Sequence, residues 1–226
     1  MAMDAGRELP FSDRTEAGRL LAGTLMRLRP ARPLVLALPP GGVPVALPIA
    51  AALAADFDLL LVRPLGRPGR AGSAVGAVVE GDPPRRTVNR NMQWALGLAE
   101  TDLADDERRQ IDEMRRLRLA LMGGRPPLPA AGRPVVLVDD GTAPGLVLSA
   151  ALSALGRMGA AELVLATPLL SPTALADLRR VADEVACLAA CAPGERRGLG
   201  YRDPAPDEAG LAALLRAAPG IRPEPR

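Results

Sequence analysis

The chain has 226 residues, 48% of them hydrophobic, and a formal net charge of only +2, which suits a packed core in a single domain. All 28 basic residues are arginine and histidine is absent, so Schiff-base lysines, imidazole bases, His-ligated metals and the lysine of a Walker loop are excluded. An aromatic content of 2% and arginines interspersed with acids argue against a nucleic-acid surface.

Met1 to Asp13 contains no apolar leader core, and no apolar run reaches the roughly 20 residues that span a bilayer; a cytoplasmic protein without membrane contact is expected. The stretch RTEAGRLLAGTLMRL is amphipathic, with Ala17, Leu20, Leu21, Leu25 and Leu28 on one face of an opening helix. Pro33 to Leu38 reads as a buried strand, followed by the loop PPGG and the helix VPVALPIAAALA. FDLLLVRPL and AVGAVVEG read as two further strands, and DPPRRTVNRN, Asp82 to Asn91, as an exposed polar excursion. ETDLADDERRQIDEMRRLRLALM is a charged helix with acids early and arginines late, the order that suits the helix dipole. There follow the strand PVVLVDD, a helix from Leu146 to Met158, the strand ELVLATPLL, the helix SPTALADLRRVA and the short strand EVACLA. Cys187 and Cys191 lack further ligands for a zinc site and read as free thiols.

Strands that are apolar throughout and separated by single helices predict an α/β fold, a mostly parallel sheet flanked by helices. One domain over residues 1–226 is expected, with a flexible tail from about residue 214. Ligands of such sheets bind outside the carboxyl ends of the strands, where two loops fall: LPPGG after the Leu34 strand and DDGTAPG after the Val135 strand. Adjacent acids at a strand end can hold a sugar diol or a hydrated Mg²⁺, and the following loop amides and helix start can receive a phosphate. Asp139 and Asp140 can equally form a solvated turn in which Thr142 and Pro144 merely start a helix.

VVLVDDGTAPG resembles the phosphoribosyl-pyrophosphate signature of the type I phosphoribosyltransferases. FSDRTEAGRLLA, LALPPGGVPVALPIAAAL, DLLLVRPLGRPG, AVGAVVEG and ADEVACL match, in order, the pattern of a bacterial subgroup whose acceptor is not generally known, over about Phe11 to Tyr201. The resemblance implies transfer of ribose-5-phosphate from the pyrophosphate donor to a nucleophile, usually a nucleobase nitrogen, with Mg²⁺ on the pyrophosphate and a small hood over the base, built in part from the terminal segments. It implies ribose and phosphate contacts from Asp139, Asp140, Gly141, Thr142, Ala143 and Gly145, in a loop running to Val147. Pro40, Gly41, Gly42 and Arg63 would form the pyrophosphate side, and Asp139 and Asp140 would reach the metal through water.

Four positions depart from that pattern: Pro40 stands for an arginine, Pro64 for a lysine, and Pro144 and Val147 for threonines. Each change removes a group that would contact an anion. At roughly 1.5–3 kcal/mol per charge-assisted bond, the amide and two hydroxyls missing from the phosphate loop correspond to about three orders of magnitude in affinity. Arg63 and Arg67 can still grip phosphate in a bidentate manner, although both also read as surface arginines. Glu80 stands where the family has an acid and is expected to orient substrate. Tyr201 is either a ring against the base or a packing residue, and Trp94 a core or interface anchor. Two functions stay open: a Mg²⁺-dependent phosphoribosyltransferase acting on a phosphorylated sugar or nucleotide, and a noncatalytic nucleotide-binding or scaffold protein on the same fold. A homodimer is the expected assembly for either.

Overall fold

Residues 11–67, 74–191 and 201–218 are described by the computed structural model. Asp13 caps the first helix, α1 (Arg14–Thr24), by accepting from the Glu16 amide, and a 3₁₀ turn, Met26–Ala31, follows. β1 (Leu34–Ala37) leads into α2 (Gly42–Leu53) and then β2 (Asp56–Leu59), and the next strands are β3 (Val62–Leu65), β4 (Gly76–Val79) and β5 (Arg85–Val88). Two helices come next, α3 (Arg90–Ala95) and the long α4 (Glu100–Met122). The second half alternates strictly: β6 (Pro134–Val138), α5 (Gly145–Arg157), β7 (Glu162–Leu170), α6 (Pro172–Leu178), β8 (Glu184–Ala190) and a final α7 (Glu208–Ala217).

Five strands form a parallel sheet in the order β2-β1-β6-β7-β8, as the apolar runs require. Neighbouring residues of its central strands face opposite sides. Val35, Ala37, Val136 and Val138 pack with Leu21, Leu25, Ile49 and Leu215 from α1, α2 and α7. Leu34, Leu36, Val135 and Leu137 pack with Leu148, Leu152 and Leu178 from α5 and α6. Each such valine, leucine or isoleucine contributes about 1.5–3 kcal/mol on burial, so both faces bind the sheet to its helices.

FDLLLVRPL is not one strand. It breaks at Leu60 and Leu61: Leu60 donates its amide to Ala37 in the parallel sheet, while Leu61 donates to the Glu80 carboxylate. β3, β4 and β5 then form a separate antiparallel sheet in the order β3-β4-β5. AVGAVVEG therefore lies outside the parallel sheet, and the excursion expected from Asp82 to Asn91 contains the edge strand β5, whose residues are half-buried against β4. Asn89 of that stretch caps α3.

α7 takes in the first residues of the stretch expected as a tail. Residues 214–217 are helical, Leu215 is buried with Leu211 in the core, and Asp207 caps the helix onto the Gly210 amide. Residues 219–226, like 1–10, lie outside the described part of the chain. Among the described residues no helix is long and apolar enough to cross a membrane.

Candidate functional site at the β1 and β6 loops

β1 and β6 run side by side, with Ala37 opposite Val138, and the Leu38 amide donates to the Val138 carbonyl at 2.9 Å. The chain leaves β1 towards β2 on one side and leaves β6 towards β7 on the other, so the two exits flank a crevice at the point where strand order reverses. The two loops meet there. Pro39, Pro40 and Gly41 from the first face Asp139, Asp140, Thr142, Ala143, Pro144 and Val147 from the second across a cleft of about 250 Å³, and Arg63 at the start of β3 closes one side.

Glycine makes this approach possible. A Cβ on Gly41 would lie 1.8 Å from the Asp140 Oδ2, and one on Gly42 would lie 2.7 Å from the Val138 carbonyl oxygen. Gly141 has φ +89°, which only glycine adopts without strain. Gly42 and Gly145 are the first residues of α2 and α5, so each loop ends at a helix N-terminus.

The two acids are buried, at 3% and 2% exposure, and both are engaged by protein donors. The Asp139 Oδ2 accepts from the Gly141 amide at 2.7 Å and the Ala143 amide at 3.3 Å. The Asp140 Oδ1 accepts from the Thr142 amide at 3.1 Å and its hydroxyl at 2.6 Å. Burial, with the negative Asp140 beside it, pushes the Asp139 carboxyl up to about 7 despite the amides that donate to it. A merely solvated turn is ruled out by this burial.

The other Asp140 oxygen is held by Arg14, whose Nε and Nη2 each lie 3.0 Å from Oδ2. Arg14 in turn stacks 4.2 Å above the Tyr201 ring, donates to the Asp203 carbonyl at 2.8 Å, and is only 5% exposed. The Tyr201 hydroxyl donates to the Asp140 carbonyl at 2.5 Å, and its ring packs 5.6 Å from Phe11. Burial raises the Tyr201 phenol, so it remains a donor. The segments expected to build a hood thus converge on the acid loop. Arg14 was not among the residues singled out in the sequence, although a cation at the first position of a helix runs against the helix dipole and is the signal that could have found it.

The remaining predicted residues fall outside the cleft. Glu80 is not placed to orient a ligand: its carboxylate receives the Arg118 Nε at 2.7 Å and Nη2 at 2.8 Å, and the Leu61 amide at 2.6 Å, behind the cleft wall. Pro64 lies in β3 opposite Ala77, Arg67 is exposed just past that strand, and Cys187 and Cys191 form no disulfide among the described residues. Trp94 is 86% exposed, which excludes the core role, and Met92 and Leu96 beside it are exposed as well. A larger cavity of about 610 Å³ opens near the amino end of β2, between α2 and α7, but its walls are mostly alanine and leucine and it lies away from both loops.

Among the described residues no three carboxylate or cysteine groups come together in a metal-binding cluster. With Asp139 turned to loop amides and Asp140 to Arg14 and Thr142, the donor set does not fit a resident Mg²⁺.

No family model matches the chain. It is 39% identical over 193 residues to two Mycobacterium tuberculosis proteins, from strains CDC 1551 and H37Rv, each named "Putative phosphoribosyl transferase"; the aligned region is 85% of this chain and 43% of either relative. The chain therefore spans less than half the length of these curated relatives. It also superposes on the crystal structure of TT1426 from Thermus thermophilus with a TM-score of 0.73 and 37% identity, covering 91% of this chain and 97% of that one. The parallel sheet whose β1 and β6 loops close one cleft and the 39% identity to two proteins named "Putative phosphoribosyl transferase" agree, and the chain belongs to the phosphoribosyltransferase family.

Proposed function

We propose that the protein binds phosphoribosyl pyrophosphate in the cleft between the β1 and β6 loops and transfers ribose-5-phosphate to a nucleophile, a nucleobase nitrogen or a related acceptor. One observation carries the reading: two glycine-bearing loops, two buried acids and a guanidinium converge on one cleft at the carboxyl ends of adjacent parallel strands. In this reading the 5-phosphate sits at the start of α5. Val147 and Leu148 both donate to the Pro144 carbonyl, whereas the preceding Gly145 and Leu146 amides, by their position in the helix, have no intrahelical acceptor. Thr142, whose hydroxyl donates to Asp140, lines the same cleft.

The diphosphate lies along Gly41 with Arg63 as its cation, and any Mg²⁺ arrives on that diphosphate as part of the substrate. Transfer breaks the bond from C1 of the ribose to the diphosphate oxygen, whose electron pair leaves with the diphosphate. The acceptor nitrogen then forms the new bond to C1 and loses its proton to the departing diphosphate or to water. Arg63 offsets charge growing on the leaving group, and the negative Asp140 favours the positive character that develops on the sugar. A cytoplasmic setting and a homodimer belong to the same proposal.

A second reading is binding without transfer. It is favoured by the loop itself, where the Gly141, Thr142 and Ala143 amides turn inward onto the two acids while Pro144 and Val147 offer no polar donor to the cleft. Calorimetric titration with phosphoribosyl pyrophosphate, ribose-5-phosphate and nucleoside monophosphates, with and without Mg²⁺, combined with an assay for diphosphate release on adding nucleobases, separates the two. Transfer predicts both binding and release; binding alone supports the second reading. Absence of binding by every phosphorylated ribose overturns both.

A further inference from the structure

Among the described residues Arg63 is the sole arginine lining the cleft, and its guanidinium makes no hydrogen bond or close ion pair with them, Glu113 of α4 being a charged neighbour. Its position depends on β3, a four-residue strand of the second sheet that begins where the chain breaks away from the first. That break is fastened from α4. Arg118, 7% exposed, places Nε and Nη2 on the two oxygens of Glu80, Nη2 on the Leu59 carbonyl at 2.9 Å, and Nη1 on Asp58 at 3.2 Å. One guanidinium therefore joins the end of β2 to the end of β4. Glu80 completes the joint from the other side, accepting the Leu61 amide through its carboxylate and donating its own amide to the Leu61 carbonyl.

A second tie holds the far end of β3, where Asp106, also on α4 and 4% exposed, accepts the Gly66 amide at 3.1 Å. Asp106 and Arg118 are about 18 Å apart along the helix, and Leu61 and Gly66 about 17 Å apart along an extended chain. The helix and strand spans match, so α4 acts as a splint with Arg63 between its two ties.

We propose that Arg118 and Glu80 are positioning residues for the diphosphate side of the site, acting through Arg63 by fixing the β2–β3 break against α4. The inference rests on the reading of the cleft given above. It assigns the buried acid that the sequence suggested for substrate orientation a role one layer further out. It also distinguishes the two halves of the ligand: α5, which carries the 5-phosphate end, packs against β3 and β4 but receives none of the joint's hydrogen bonds, whereas the diphosphate end depends on them.

The test measures inorganic pyrophosphate and ribose-5-phosphate binding by calorimetry in folded Glu80→Gln and Arg118→Lys proteins, each alone and combined with Arg63→Ala. Glutamine keeps the size and one acceptor, and lysine keeps the charge but loses the fork that spans Glu80 and Leu59. The expected result is pyrophosphate affinity weakened by about tenfold in either single variant, with ribose-5-phosphate affinity within about twofold of the unaltered protein. In the Arg63→Ala background neither change should weaken pyrophosphate binding further, because the group they position is gone. Equal losses for both ligands, equal losses with and without Arg63, or full pyrophosphate affinity in either folded variant would overturn the proposal. An unaltered protein that binds ribose-5-phosphate but not pyrophosphate overturns this inference and leaves the sugar-phosphate reading standing; one that binds neither removes both.

Discussion

At the scale of single residues, the acid pair serves two different purposes. Asp140, a ligand contact in the proposed reading, is also a structural hub: it neutralises Arg14, which is buried beneath Tyr201. A strand-end carboxylate facing a cleft ordinarily adds little to stability, but one that balances a buried guanidinium is expected to add more. Asp140→Asn leaves a buried guanidinium without its counter-charge and should destabilise the protein by about 2–4 kcal/mol in chemical denaturation. A change below about 0.5 kcal/mol would show that Arg14 finds other compensation. Asp139 behaves in the opposite way. Its carboxyl is raised from 3.8 to about 7, so the folded state holds a proton that the unfolded state has released. The stabilisation linked to that proton is complete below about pH 4 and is lost as the pH rises to about 7 and beyond. Asp139→Asn keeps an acceptor for Gly141 and Ala143 but removes the charge. Relative to the unaltered protein it should gain at least about 1 kcal/mol at pH 8 and little at pH 4. Melting curves at the two pH values check this, and an equal effect at both would contradict it.

At the scale of elements, the α5 loop is where the chain departs most from its family. Pro144 occupies the N-cap of α5 and gives no side-chain cap, and Val147, 7% exposed, lines the cleft. The double change Pro144→Thr and Val147→Thr supplies one amide and two hydroxyls at a helix N-terminus and adds a capping side chain. Ribose-5-phosphate should bind at least about tenfold more tightly, equivalent to roughly 1.4 kcal/mol, and the helix should gain up to about 1 kcal/mol. Titration that shows unchanged affinity, with the unaltered protein already binding at micromolar levels, would mean that the loop reaches its phosphate differently.

The second-half elements and this loop were legible in the sequence because β6, α5 and β7 each keep one period of apolar spacing from end to end. The β2–β3 break was not, since FDLLLV is apolar throughout and the switch is decided by distant partners, Ala37 for Leu60 and Glu80 for Leu61. β5 was hidden by its arginines, and α7 by a stretch rich in proline and alanine. Of the site, the two loops and Arg63 could be read locally, whereas Arg14 becomes visible only once the chain ends are brought onto Asp140.

At the scale of the whole molecule, the single tryptophan reports on the surface. Trp94 is 86% exposed, with Met92 and Leu96 exposed next to it. In a monomer its fluorescence should be that of a hydrated indole, open to a neutral quencher and nearly unchanged by unfolding. A blue-shifted, protected emission that moves red on dilution would instead place this face in the proposed homodimer. The hub at Asp140 has a consequence of another kind, in time rather than space. It joins Arg14 to an acid 126 residues away and Tyr201 to a carbonyl 61 residues away, with Asp203 189 residues from Arg14. Contacts of such separation close slowly, because the loops between them lose entropy before the contact rewards it. During refolding, helical circular dichroism should recover before the capacity to bind ribose-5-phosphate, and the two signals returning together would show that the sheet and its ligand cleft form in one step. In a chain growing from its amino end, α1 and the paired acids wait for residues 201–203, so the cleft acquires its final shape only after nearly all of the described chain has been made.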